Sequence, residues 1–140
     1  MAQEFRRSCQ DTFSFLKTHG FSEAQLSGEP LLHAVKVRFY GTLLAVECIW
    51  DHREEALEVK IARLQFGEPL SDFAFDRTGR RVRDHLTQLL IRRGVRDVGL
   101  RKVPTGTALL DRWRSHLEDY ARLLQTHGDF ILKQTPDALD

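Results

Sequence analysis

Residues 31–64 read LLHAVKVRFYGTLLAVECIWDHREEALEVKIARL. Val35, Val37 and Phe39 alternate with Lys36 and Arg38, the period of a strand with one buried face. Gly41-Thr42 marks a tight turn. A second run, LLAVECIW, follows, then the polar loop DHREEA and a third run, LEVKIARL. The register can be argued from the pattern. Pairing Tyr40 with Leu43 sets Lys36 opposite Glu47, Val37 opposite Val46 and Val35 opposite Cys48. Pairing Trp50 with Leu57 sets Glu47 opposite Lys60, Val46 opposite Ile61 and Cys48 opposite Val59. Both hairpins then put the aliphatic side chains on one face and a Lys36–Glu47–Lys60 ladder on the other. Opposite charges across strands support that choice, and a one-residue slip would invert every face.

Upstream, Phe5, Cys9, Phe13 and Leu16 recur at helical spacing and predict a helix over about 3–19, ended by Gly20. SGEP at 27–30 reads as loop. Downstream, DFAFD at 72–76 is expected to add a short fourth strand that buries Phe73 and Phe75. A helix is expected at about 80–93, with Val82, Leu86, Leu89 and Leu90 on its apolar face and Gly94 at its end. VRDVGLRKVPTG is irregular. The last helix is expected from Thr107, as its cap, to about His127. Leu110, Trp113, Leu117, Tyr120, Ala121 and Leu124 form its stripe, and Gly128 closes it. Thr-His-Gly therefore occurs twice, at 18–20 and 126–128, each time as a helix C-terminus rather than a pair of working histidines. The expected fold is α+β and a single domain over 1–140. It has an N-terminal helix, an antiparallel meander of three to four strands and two C-terminal helices on one face. Residues 135–140 are expected to fray.

At 140 residues and 41% hydrophobic, the chain can bury one core. It has no long apolar run and no apolar segment behind its N-terminus, so neither a membrane span nor a secretion signal is expected. Cys9 and Cys48 lie in apolar-patterned segments and predict reduced thiols in a cytoplasmic protein. No phosphate-binding glycine loop, nucleophile elbow or H-E-x-x-H motif is present. The six histidines are scattered. His116 with Glu118 and Asp119 comes nearest to a metal pattern, but these positions do not converge on a helix. His33 is expected to be partly buried near Trp50. No catalytic, metal or cofactor residue is assigned.

Charge is uneven although the net value is +1. Residues 77–102 carry nine basic side chains and two acids, a local charge of +7. This stretch reads as the solvated face of an amphipathic helix. It also offers Arg80, Arg81 and Arg83, with Arg92 and Arg93, as candidate contacts to phosphate or to an acidic partner. No aromatic residue is interleaved with these arginines, which argues against base stacking. The hairpin tip with Asp51, Glu54, Glu55 and Glu58 is the opposite patch and a candidate dock for a basic partner.

Three stretches together carry a resemblance: FSFLKTHGF at 13–21, VRFYGTLLAVECIWDHREEALEVKIARL at 37–64 and LEDYARLLQTHGDFIL at 117–132. Together they resemble small bacterial immunity-type proteins of polymorphic and contact-dependent toxin systems. The resemblance implies an intracellular, non-enzymatic protein that binds and neutralises one toxin domain. It implies no catalytic residues. The alternative expectation is a nucleic-acid-binding or regulatory module using the basic 77–102 segment.

Overall fold

In a computed structural model, which describes residues 1–27, 33–70 and 73–140, the meander stands where the alternation put it. β2 (Ala34–Tyr40), β3 (Leu44–Asp51) and β4 (Ala56–Gln65) are consecutive antiparallel strands. β1 (Gln25–Leu26) pairs with β2. β5 (Glu68–Pro69) and β6 (Arg83–His85) both pair with β4. α1 (Ala2–Thr12) precedes the sheet; α2 (Leu86–Arg92), α3 (Leu109–His127) and α4 (Asp129–Leu132) follow it. The fold is α+β, with a curled antiparallel sheet. SGEP lies almost wholly, and Asp72 wholly, outside the described residues.

The β3–β4 register is the one read from the sequence: Val46 faces Ile61, Glu47 faces Lys60 and Trp50 faces Leu57. The β2–β3 register differs by two residues. Val37 faces Cys48, Phe39 faces Val46, and Arg38 rather than Lys36 faces Glu47. An even slip keeps every side chain on its face, so the faces agree while the ladder does not. A residue far along the chain closes this hairpin: Gln134 Oε1 accepts the backbone N–H groups of Leu43, at 2.8 Å, and Leu44, at 3.1 Å. The turn spans residues 41–43, with the Gly41 N–H donated to the Leu44 carbonyl, where a turn over 41–42 was expected. Gly41 is needed there, because a Cβ would collide with the Gln134 carboxamide and lie 2.7 Å from the Leu44 carbonyl oxygen.

The aliphatic face of the sheet packs under α1 and α3. Phe5 and Trp50 both meet Trp113 edge-on, at 5.0 and 5.8 Å, and Phe13 lies 5.9 Å from Phe39. The Cys9 and Cys48 thiols touch in this interface; burial first, then Cys48, pushes the Cys9 thiol up. Tyr120 donates its hydroxyl to the Leu57 carbonyl, and burial raises that phenol to about 12.

Several elements differ from the sequence reading. The first helix loses its α geometry at Phe13 and continues to His19 as a 3₁₀ helix. α3 starts without a side-chain cap, since Thr107 donates its hydroxyl to the Pro104 carbonyl instead. Leu110 is exposed, and so is His33, at the end of the sheet. The helix expected at 80–93 is only α2; residues 83–85 are strand β6. Because β6 takes the edge of β4, Phe73 and Phe75 do not form a buried fourth strand. Residues 135–140 do not fray. Ala138 and Leu139 are buried, and Arg63 and Arg80 donate to the Pro136 carbonyl. Gly20 is left-handed as expected, at φ +86°, but Gly128 is not, at φ −96°. Gly128 is small for another reason: a Cβ would lie 2.6 Å from the Leu124 carbonyl oxygen.

The other face of the sheet carries a buried ion triad. Arg38 Nε is 2.7 Å from Glu47 Oε2, and Arg83 Nε is 2.8 Å from Glu47 Oε1. Arg83 stands opposite Ala62, and Ala62 opposite Ala45. With only methyl groups in the way, the guanidinium crosses β4 to reach β3. Burial alone would raise the Glu47 carboxyl. The hydrogen bonds and charge of Arg83, with those of Arg38 and the charge of Lys36, outweigh it and hold the group below the usual glutamate range.

Two outcomes are expected. Glu47→Gln leaves two buried guanidiniums without their counter-charge and lowers the unfolding free energy by about 3–5 kcal/mol in urea titrations. A depressed carboxyl stabilises above its unfolded value and stops doing so as pH falls through its folded value. Stability should therefore drop in acid below the ordinary glutamate range, and less steeply in the variant. In thermal unfolding, Gly20→Ala should cost about 1 kcal/mol through its left-handed backbone. Gly128→Ala should cost more, because its neighbour is backbone and cannot move aside.

Candidate functional site

The β4–β5 hairpin pairs Gln65 with Glu68 and leaves a two-residue turn, Phe66-Gly67. Both have positive φ, +53° and +78°. Such a mirror-image turn matches strand twist and ordinarily takes Asn-Gly. Here a phenylalanine holds the first position, against a backbone preference of roughly 1–2 kcal/mol, and its ring is 97% exposed. Neither the turn nor the core requires that ring.

Phe73 is 76% and Phe75 49% exposed. With Gln65, Leu70, Asp76, Arg77 and Thr78 they line an open cleft. The cleft wall is fixed by its own hydrogen bonds. Asp76 Oδ1 accepts the Thr78 backbone N–H, the Thr78 hydroxyl and the Arg80 N–H. The Thr78 hydroxyl is the main cause holding the Asp76 carboxyl below its usual range. Gly79, at φ +84°, closes the turn. Phe75 bridges to Arg81, whose guanidinium lies 4.9 Å over its ring. Aromatic residues therefore do accompany the arginines, from just before the stretch in which the sequence lacks them.

Within the fold five of the nine cations of the basic stretch, Arg80, Arg81, Arg83, Arg92 and Arg101, face carboxylates among the described residues. Arg83, read as a surface contact, is buried on Glu47. Arg81 and Arg92 share Asp84. Arg101 Nε is 2.7 Å from buried Asp119, which also accepts the Arg101 backbone N–H. Arg80 is half-exposed, with its Nε 3.5 Å from Asp140. Arg93 lies 3.8 Å over Phe130. Arg77 is exposed and makes no ion pair among the described residues.

The acidic tip is also partly committed. Asp51 Oδ1 accepts the N–H groups of Arg53 and Glu54; the Glu54 bond chiefly lowers its carboxyl. Glu55, at φ +50°, lies 3.6 Å from Arg112. Glu58 is half-buried on β4, facing Ile49, and Glu54 is exposed. The cleft brings together Phe73, Phe75 and Arg77 with Gln65, the residue before Phe66, and Arg81 lies over Phe75; the four acids lie on the β3–β4 hairpin. His19 and His127 are exposed and end the 3₁₀ helix and α3. Among the described residues no group of histidine, cysteine or carboxylate side chains could hold a metal ion. No helix there is long and apolar enough to cross a membrane.

The chain matches no protein-family model, no curated protein and no solved structure.

Phe66 was missed in sequence because QFGE lies in a run whose alternation ends there. The available signal is Gly67 at a two-residue turn, with Phe where Asn is expected. Phe66→Asn should fit the left-handed position better and raise the melting temperature by a few degrees, about 1 kcal/mol, in a thermal scan. A fall would show that the ring supports the fold.

Proposed function

We propose that this chain is a non-enzymatic binding protein that captures and neutralises a partner protein, most concretely a toxin domain, in the cytoplasm of the cell that makes both. The observation that supports this reading is the exposed, strained Phe66 beside Phe73 and Phe75. Interface hot spots are built from aromatic and arginine side chains at the centre of a patch. The immunity-type resemblance of 13–21, 37–64 and 117–132 names the class of partner. Reduced Cys9 and Cys48 fit that compartment.

One observation favours a second reading. Arg81 stacked over Phe75, next to exposed Phe73, has the makings of a single-strand platform. Against it, most arginines of the basic stretch already face carboxylates, which leaves little charge for a phosphate backbone.

The test is growth protection. Cells producing the toxin domain encoded beside this chain should survive only when the chain is co-expressed. The purified chain should not bind single-stranded or duplex oligonucleotides appreciably at physiological salt. A sub-micromolar oligonucleotide complex that weakens steeply with salt would favour the second reading instead.

A further inference from the structure

Two charged patches of opposite sign compete as the docking surface, and the fold separates them. We propose that the aromatic turn is the docking surface and that its occupant is an acidic, concave protein surface, with a socket for Phe66 and carboxylates for Arg77 and Arg80. This rests on the binding-protein reading above and specifies its partner.

Shape comes first. Phe66 stands on a hairpin tip and is almost wholly exposed. A projecting ring gains most from a pocket, where its full apolar area leaves water. Charge comes second. Arg77 faces solvent without an ion pair among the described residues, and Arg80 is held by Asp140 at 3.5 Å, with Asp140 itself half-exposed. A partner carboxylate can therefore reach Arg77 directly and replace Asp140 on Arg80 without breaking a buried contact. Arg81 is already engaged by Asp84 and Phe75 and serves to orient that ring. The acidic tip fails on the first count: among the described residues no large exposed apolar side chain lies between 51 and 58. A charged rim without an apolar anchor steers encounter but holds little.

The experiment measures association and dissociation of the full chain with the toxin domain encoded beside it, using three variants. Phe66→Asn, which suits the turn, should weaken the complex about thirtyfold through faster dissociation. Arg77→Glu should slow association about tenfold at low salt, with the difference fading at high salt. Glu54→Lys, at the acidic tip, should change neither rate. A complex weakened by Glu54→Lys but indifferent to Phe66→Asn and Arg77→Glu overturns this assignment and leaves the binding-protein reading standing. Failure of the unaltered chain to bind that domain removes both. Sedimentation of the chain, alone and with a single-stranded oligonucleotide, supplies the remaining outcomes. Self-association abolished by Phe66→Asn makes the occupant a second copy. Capture of a single-stranded oligonucleotide abolished by Arg77→Glu makes it a nucleic acid. Either result overturns the proposal.

Discussion

Glu47 has no access to water and must be an anion, because two guanidiniums reach it from opposite strands. A buried carboxylate without partners would cost several kcal/mol, and so would either arginine. The three must arrive together, and this requirement organises the sheet. It brings Arg38 of β2 level with Glu47. It requires small residues at Ala45 and Ala62, over which Arg83 passes. It draws residues 83–85 into the sheet as β6, ahead of the helix that their surroundings favour. Once β6 holds the edge of β4, the segment before it cannot pair there, and Phe73 and Phe75 stay outside. The exposed aromatic surface is in this sense a consequence of the buried triad.

The parts of the fold that local pattern controls were legible. The three strands alternate cleanly, and β3–β4 is joined by a loop whose length and charges leave one sensible register. Trp113, Leu117, Tyr120, Ala121 and Leu124 fall on the buried stripe of α3 as their spacing requires. The parts controlled by distant residues were not. The β2–β3 turn is closed by Gln134, about ninety residues away, whose carboxamide accepts two turn N–H groups, and Arg38 meets Glu47 in a buried ion pair that no local pattern reveals. Ala138 and Leu139 are buried where Arg63 and Arg80 donate to the nearby Pro136 carbonyl. No window of periodicity contains these pairs.

The basic stretch shows the same division for the site. Nine cations in twenty-six residues read as a surface feature while their partners are unseen. Glu47, Asp119 and Asp140 lie far from them in sequence, and each meets an arginine only in the fold. The helical reading of RRVRDHLTQLLIRR was reasonable for its second half, where Leu86, Leu89 and Leu90 are buried. Its first half has no i, i+4 apolar partner beyond Val82, and the buried ion triad outweighs a weak helical preference.

Stability and function separate along these lines. The triad pairs charges that would otherwise be buried alone, and Gln134 and the C-terminal segment bond groups nearer the surface. Phe66 does the reverse, combining an unfavourable backbone with a ring in water. A chain under selection for stability alone would drift to Asn-Gly at this turn, since that change relieves strain and removes exposed apolar surface together. Phe73 and Phe75 add further apolar surface beside it, on a wall that Asp76 holds rigid from within. The cleft wall and the hairpin tip thus differ in kind: Asp76 satisfies the wall's own N–H and hydroxyl groups, whereas the tip combines a left-handed backbone with an apolar ring left in water.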